Sequence, residues 1–132
     1  MIIPIVPIIN STNSGEILLK KLNDSKRLQK EHNISESFVM DVSPYCDCHG
    51  ENDAPIVPDV GMFASFDPVA LDMACADAVN RQPVCTGSLL DEVEHVHHDH
   101  FKDVFPETNW RSCIDHAMKL GLGNDEYELI QI

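Results

Sequence analysis

Residues 38–80 read FVMDVSPYCDCHGENDAPIVPDVGMFASFDPVALDMACADAVN, and the second half of that stretch decides the fold. Val60–Ala64 is an apolar run of strand length. Asp67 follows, with Pro68 behind it. An Asp at this position caps the free N–H groups of a helix start, and a proline at the first helical position loses no hydrogen bond. The helix so opened, PVALDMACADAV, is small and apolar on most faces, with Asp72 and Asp77 as its main polar marks. Such a helix packs closely against a sheet. Upstream, Ser37–Val42 is rich in strand formers and leads into SPYCDCHGENDAP, a run of turn residues that carries two cysteines.

Outward from this unit the chain alternates between strand and helix signals. The first 14 residues predict an extended arm or edge strand, since Pro4 and Pro7 interrupt a β-branched run over residues 2–9. Asn13 with Glu16 caps a helix beginning Ile17, Leu18, Leu19 and Leu22, whose second half is polar. Ser88 is placed to cap a short helix with Leu89, Leu90 and Val93 on its apolar face. Phe101, Val104 and Phe105 predict another turn or two of helix, closed by Pro106. Asn109 stands before a helix with Trp110, Cys113, Ile114 and Ala117 on one stripe, and Gly121 with Leu122 forms its C-cap. YELIQI predicts a last strand. This order predicts one α/β domain over residues 1–132, a layer-type fold with a mixed or mostly parallel sheet packed with helices.

Composition narrows the function classes. A length of 132 residues suits one domain with a real core, and 43% hydrophobic residues argue against disorder. A net charge of −13 with only 9 Lys plus Arg argues against a nucleic-acid surface. MIIPIVPII lacks the basic flank and cleavage site of a signal peptide and is too short and proline-broken for a span, so no membrane role is expected. Five cysteines, an odd number outside any loop-rich framework, predict reduced thiols in the cytoplasm.

Chemistry concentrates in the cysteine loop. Cys46, Cys48 and His49 place two thiols and an imidazole within reach of one ion, the donors that zinc and iron take. Asp47, Asp53 and Asp59 add oxygen ligands or supporting partners. No second cysteine pair at metal spacing completes a closed four-ligand site, so a tight loop with inward cysteines is the competing reading. The stretch Glu94, His95, His97, His98, Asp99, His100 is dense enough to bind a divalent metal, but without hydrophobic support it reads as a solvated loop. Cys75 and Cys113 fall on apolar helix faces and read as small buried hydrophobes, while Cys85 lies in a loop. There is no phosphate-binding glycine loop and no nucleophile elbow.

The run MDVSPYCDCHGENDAPIVPDVGMFASFDPVALDMACADAVN resembles the C-terminal part of the Fe–S center proteins, domain of unknown function family 362. The shared features are a strand ending in a Pro-x-Cys-Asp-Cys loop, a P-I-V-P-D stretch and an A-S-x-D-P-V-A helix. NWRSCIDHAMKLGLGNDEYELI is similar to the family's last helix and strand. Fuller members of the family are longer and many carry a ferredoxin insert whose cysteine run is missing here, so the resemblance implies a C-terminal piece or a shortened relative. It carries over Cys46, Cys48, Asp59 and the Asp67–Pro68 turn, whereas His49 stands where the family often differs. It implies a redox role beside iron–sulfur or ferredoxin-type proteins, with zinc, iron or an iron–sulfur cluster as cofactor. Two readings follow: a metal- or cluster-associated redox accessory domain, or a structural or interaction domain whose acidic surface docks a partner. No nucleophile–base pair marks an enzyme acting alone.

Overall fold

The computed structural model describes residues 4–5, 34–45 and 54–131. The elements, in chain order, are β1 (Pro4–Ile5), β2 (Ser35–Val39), β3 (Gly61–Ser65), α1 (Pro68–Asn80), α2 (His100–Val104), α3 (Arg111–Lys119) and β4 (Glu128–Leu129). The helix expected after Asn13 lies outside the described residues. β2 and β3 pair antiparallel, with Ser35 opposite Ser65 and Val39 opposite Gly61. β1 and β4 pair in parallel, Pro4 opposite Glu128. The result is an α/β mix. Among the described residues, parallel pairing is confined to the two-residue β1–β4 ladder. The longer ladder, β2–β3, runs antiparallel.

β2 alternates as a half-buried strand should. Glu36, Phe38 and Met40 stand exposed on one face, and Val39 is buried on the other. The strand ends where Asp41 turns into the left-handed region at φ 48°. Asp is among the few side chains that tolerate this conformation. Single backbone bonds carry the pairing further, from Val60 N–H to Val39 C=O at 2.9 Å and from Ile56 N–H to Val42 C=O at 2.8 Å.

α1 is the centre of the core. Its N-cap is Asp67, whose Oδ1 accepts from the N–H groups of Val69 at 2.9 Å and Ala70 at 3.0 Å. Val69, Ala70, Leu71, Met73, Ala74, Ala78 and Val79 are all buried, so the helix hides most of its circumference, as its small apolar residues predict. Leu71, Ala74, Ala78 and Val79 pack with Val39, Ile56, Val57 and Phe63 from the sheet side and with Leu90 and Val104 from the other.

The segment after α1 departs from expectation. Residues 89–92 form turns rather than a helix. Leu90 is fully buried there, and Ser88 C=O and Oγ both accept from Asp91 N–H, at 3.0 and 3.4 Å. Leu90, with Leu89 and Val93 packed more loosely against the same core, anchors this loop without a helix. α3 also differs: the expected Asn109 cap is replaced by Trp110 at the N-cap position, with no side-chain cap bond. Asn109 contributes only its backbone carbonyl, which accepts from Ser112 N–H and Ser112 Oγ. Only Ile114 of the expected stripe is buried, and Cys113 is exposed, because α3 lies at the margin of the core. Its C-terminus ends as expected at Gly121, with φ 71°. Gly121 N–H donates to Met118 C=O and Leu122 N–H to Ala117 C=O, the two bonds of a Schellman cap.

Residues 123–127 clasp α1 at both ends. At its start, Asp67 Oδ2 accepts from Asn124 N–H at 3.0 Å and from Asn124 Nδ2 at 3.4 Å. At its end, the Tyr127 hydroxyl donates to Asp77 at 2.5 Å and accepts from Arg81 at 3.0 Å. Burial pushes the Tyr127 phenol up, and the bond to Asp77 pushes it further. Gly123 passes so close to Asp67 that a Cβ there would fall on its carboxylate. Replacing Asp67 with Ala removes a helix cap and leaves the Asn124 N–H unpartnered, a loss of about 2 kcal/mol. Gly123→Ala should cost about 1–3 kcal/mol by overpacking. The two should not add: in an Asp67→Ala background the glycine substitution becomes nearly neutral, which a double-mutant cycle in urea measures. Additive losses would show that the two residues do not meet.

Candidate functional site

The strands that feed the cysteine loop are held at its root. The Val42–Ile56 backbone bond closes a loop over residues 43–55. Cys46, Cys48 and His49 lie in 46–53, outside the described residues, as do Asp47 and Asp53. On the outgoing side, the Tyr45 ring rests on Phe105, centroids 5.6 Å apart and planes tilted by 59°. Val42 and Pro44 continue from there into the wall of an apolar cavity of about 150 Å³, completed by Ile56, Phe101, Val104, Phe105 and Trp110. On the return side stands Asp59, exposed, with Oδ1 accepting from Asp41 N–H at 2.9 Å. One of its oxygens thus holds the left-handed turn at Asp41, a structural task at the loop's base.

The remaining cysteines divide by surroundings. Cys75 is half-buried on α1. Burial pushes its thiol up, the nearby Asp72 charge adds to this, and a hydrogen bond with Ser37 opposes it. It is a neutral packing group, as its place on an apolar helix predicts. Cys85 is half-buried in its loop, with its N–H donating to Ile56 C=O at 2.9 Å.

The histidine-rich stretch is solvent-facing yet firmly tied. His95, His97 and His98 are exposed, and His98 takes φ 53°, which bends the chain back. Asp99 caps α2 through Oδ1 and accepts the Trp110 indole N–H on Oδ2 at 2.8 Å. His100 N–H donates to Asn80 Oδ1 at 2.8 Å. Backbone and side-chain bonds therefore do the ordering that sequence reasoning assigned to absent hydrophobic support. His97 precedes α2, so it shares no helical face with His100. What gathers instead is His95, His100 and Asp103, one donor atom from each lying within 4.8 Å of the others. Asp103 was missed. Its only signal was a carboxylate set among the apolar positions Phe101, Val104 and Phe105, one helical turn after His100.

The family described as Domain of unknown function (DUF362) matches residues 12–77, half of the chain. This chain belongs to that family. The DUF362 match takes in β2, the cysteine loop, Asp59, β3, Asp67 and α1 as far as Asp77. The histidine–aspartate group and the clasp at residues 123–127 lie beyond it. No curated protein and no solved structure matches the chain. Among the described residues, no helix is long and apolar enough to cross a membrane.

Thiol reactivity tests the contrast between cysteines. Iodoacetamide labelling of the folded protein, mapped by peptide mass, should reach Cys113 well before Cys75. Because the folded Cys75 thiol titrates above its unfolded value, its stabilising contribution is complete below the unfolded pKa. It falls as pH rises through the window between unfolded and folded values. Cys75→Ala should flatten that alkaline loss of stability. A mutant curve parallel to wild type would place the thiol in water.

Proposed function

We propose that this DUF362 chain is a metal- or iron–sulfur-associated accessory domain in redox chemistry, with Cys46 and Cys48 as thiolate ligands. One observation carries the reading: the Cys-x-Cys run sits on the loop closed by Val42 and Ile56, inside the region that matches the family. Ligand sets are commonly borne on loops that a paired scaffold positions. Two thiols and the His49 imidazole within four residues suit one soft ion, zinc or iron, as donors. Asp59, with one oxygen committed to Asp41, is left as a supporting ligand. A bound metal would supply a redox or Lewis-acid centre. The chain's own part is to hold the two ends of that loop, at Val42 and Ile56, against the core. A ferredoxin-type protein in a reducing cytoplasm is the fitting partner, because such a compartment keeps the thiols unpaired.

A second reading, an interaction domain without metal, draws on the outer face of β2. Phe38 is 65% exposed and Met40 44%, adjacent on one face beside Glu36. Two large apolar side chains side by side on an exposed strand suit a docking surface.

Protein purified without oxygen, with iron and zinc supplied, separates the two readings. The first expects near-stoichiometric metal that is lost in a Cys46→Ser, Cys48→Ser variant with only a modest drop in stability. Less than about a tenth of an equivalent in the native protein would remove the metal site and leave the docking domain.

A further inference from the structure

The geometry points to a second site, built by His95, His100 and Asp103, that takes a divalent transition-metal ion, zinc or ferrous iron. It is independent of the cysteine loop. His100 and Asp103 lie one turn apart on the same face of α2. The left-handed residue His98 turns the preceding loop back, and His97 N–H donates to Asp103 Oδ1 at 2.9 Å, which fastens that loop to the carboxylate. His95 is thereby set against Asp103, with Nδ1 3.8 Å from Oδ2.

Two features mark this group as more than a chance cluster. The Asp103 side chain is 1% exposed, and its Oδ2 is buried with no hydrogen-bond partner among the described residues. Burying a carboxylate oxygen unpaired is costly, and a cation at this point removes the cost. The second feature is orientation. His100 Nε2 lies 3.0 Å from Gln82 C=O. A neutral imidazole donating there keeps its lone pair on Nδ1, and a backbone carbonyl behind a ligating histidine is a common support in metal sites.

Spacing and donor type then choose the ion. Donors around a tetrahedral zinc sit about 3.3 Å apart, given bonds of about 2.0–2.1 Å. The three donor atoms here lie within 4.8 Å, so a contraction of at most about 1.5 Å closes the site. His95, with a side chain 42% exposed, is free to supply it. Two imidazoles with one carboxylate suit zinc or ferrous iron, whereas magnesium and calcium prefer oxygen shells. Three protein ligands leave at least one position to water or a substrate oxygen.

The test uses the full chain, untagged, carrying Cys46→Ser and Cys48→Ser, so that the outcome does not depend on the thiolate loop. Cobalt(II) is titrated and followed by its visible absorption, then displaced with zinc. The site should take about one equivalent of cobalt, unaffected by excess magnesium. His95→Ala and Asp103→Asn should each weaken binding by at least about tenfold, while His116→Ser, on the exposed side of α3, leaves it unchanged. His95 is exposed, so its variant serves even if the buried Asp103 substitution impairs folding. No cobalt uptake, or uptake that His95→Ala leaves intact, would overturn the site and reduce the group to a His95–Asp103 contact.

Discussion

The carboxylate of Asp67 is the junction on which the described structure depends. Its own N–H donates to Ser65 Oγ at the end of β3, its Oδ1 closes the start of α1, and its Oδ2 holds the backbone of Asn124. Two parts of the chain, one of them 57 residues away, meet on this side chain, and the residue is only 8% exposed. The first N–H groups of a helix have no partner within it, and burial makes each unmet group costly. Here one carboxylate answers both the helix and the distant segment, and α1 can then present most of its surface to the core.

The cysteine loop inherits its placement from that arrangement. β3 runs directly into Asp67, and β2 is paired along β3, so fixing the start of α1 fixes the strand beside the loop. The loop's two ends are then held by different means, the Tyr45–Phe105 ring contact on one side and the Asp59–Asp41 bond on the other.

What was legible in the sequence was local. Asp67 and Pro68 announce a helix start within four residues, and the observed helix, Pro68–Asn80, begins where they place it. Gly121 likewise marks a helix end through a conformation that glycine alone adopts freely. The strand Gly61–Ser65 follows from its apolar run. What was not legible depends on residues far apart. Leu90 meets its burial need inside a turn, so its periodicity misled; the stripe on α3 found core for Ile114 alone. Asp103 looks like any helix-surface carboxylate until the backbone of His97, six residues earlier, is seen folded onto it. Cys46, Cys48 and His49 lie outside the described residues, so their reading still rests on residue type and spacing.

The clasp at residues 123–127 has a bearing on how the chain folds as it is made. Strand pairing between β2 and β3, and α1 itself, can form once residue 80 is free. The Asp67–Asn124 contact cannot form until 44 further residues have left the ribosome. Through that interval the start of α1 has its Asp67 cap but lacks its outer cover, and the face that later meets the clasp is open to solvent. Synthesis at about 5–20 residues per second makes this a matter of seconds. The nascent domain therefore spends that time as a hairpin and helix awaiting a lock, the stage at which a chaperone or a binding partner has its best access to the helix.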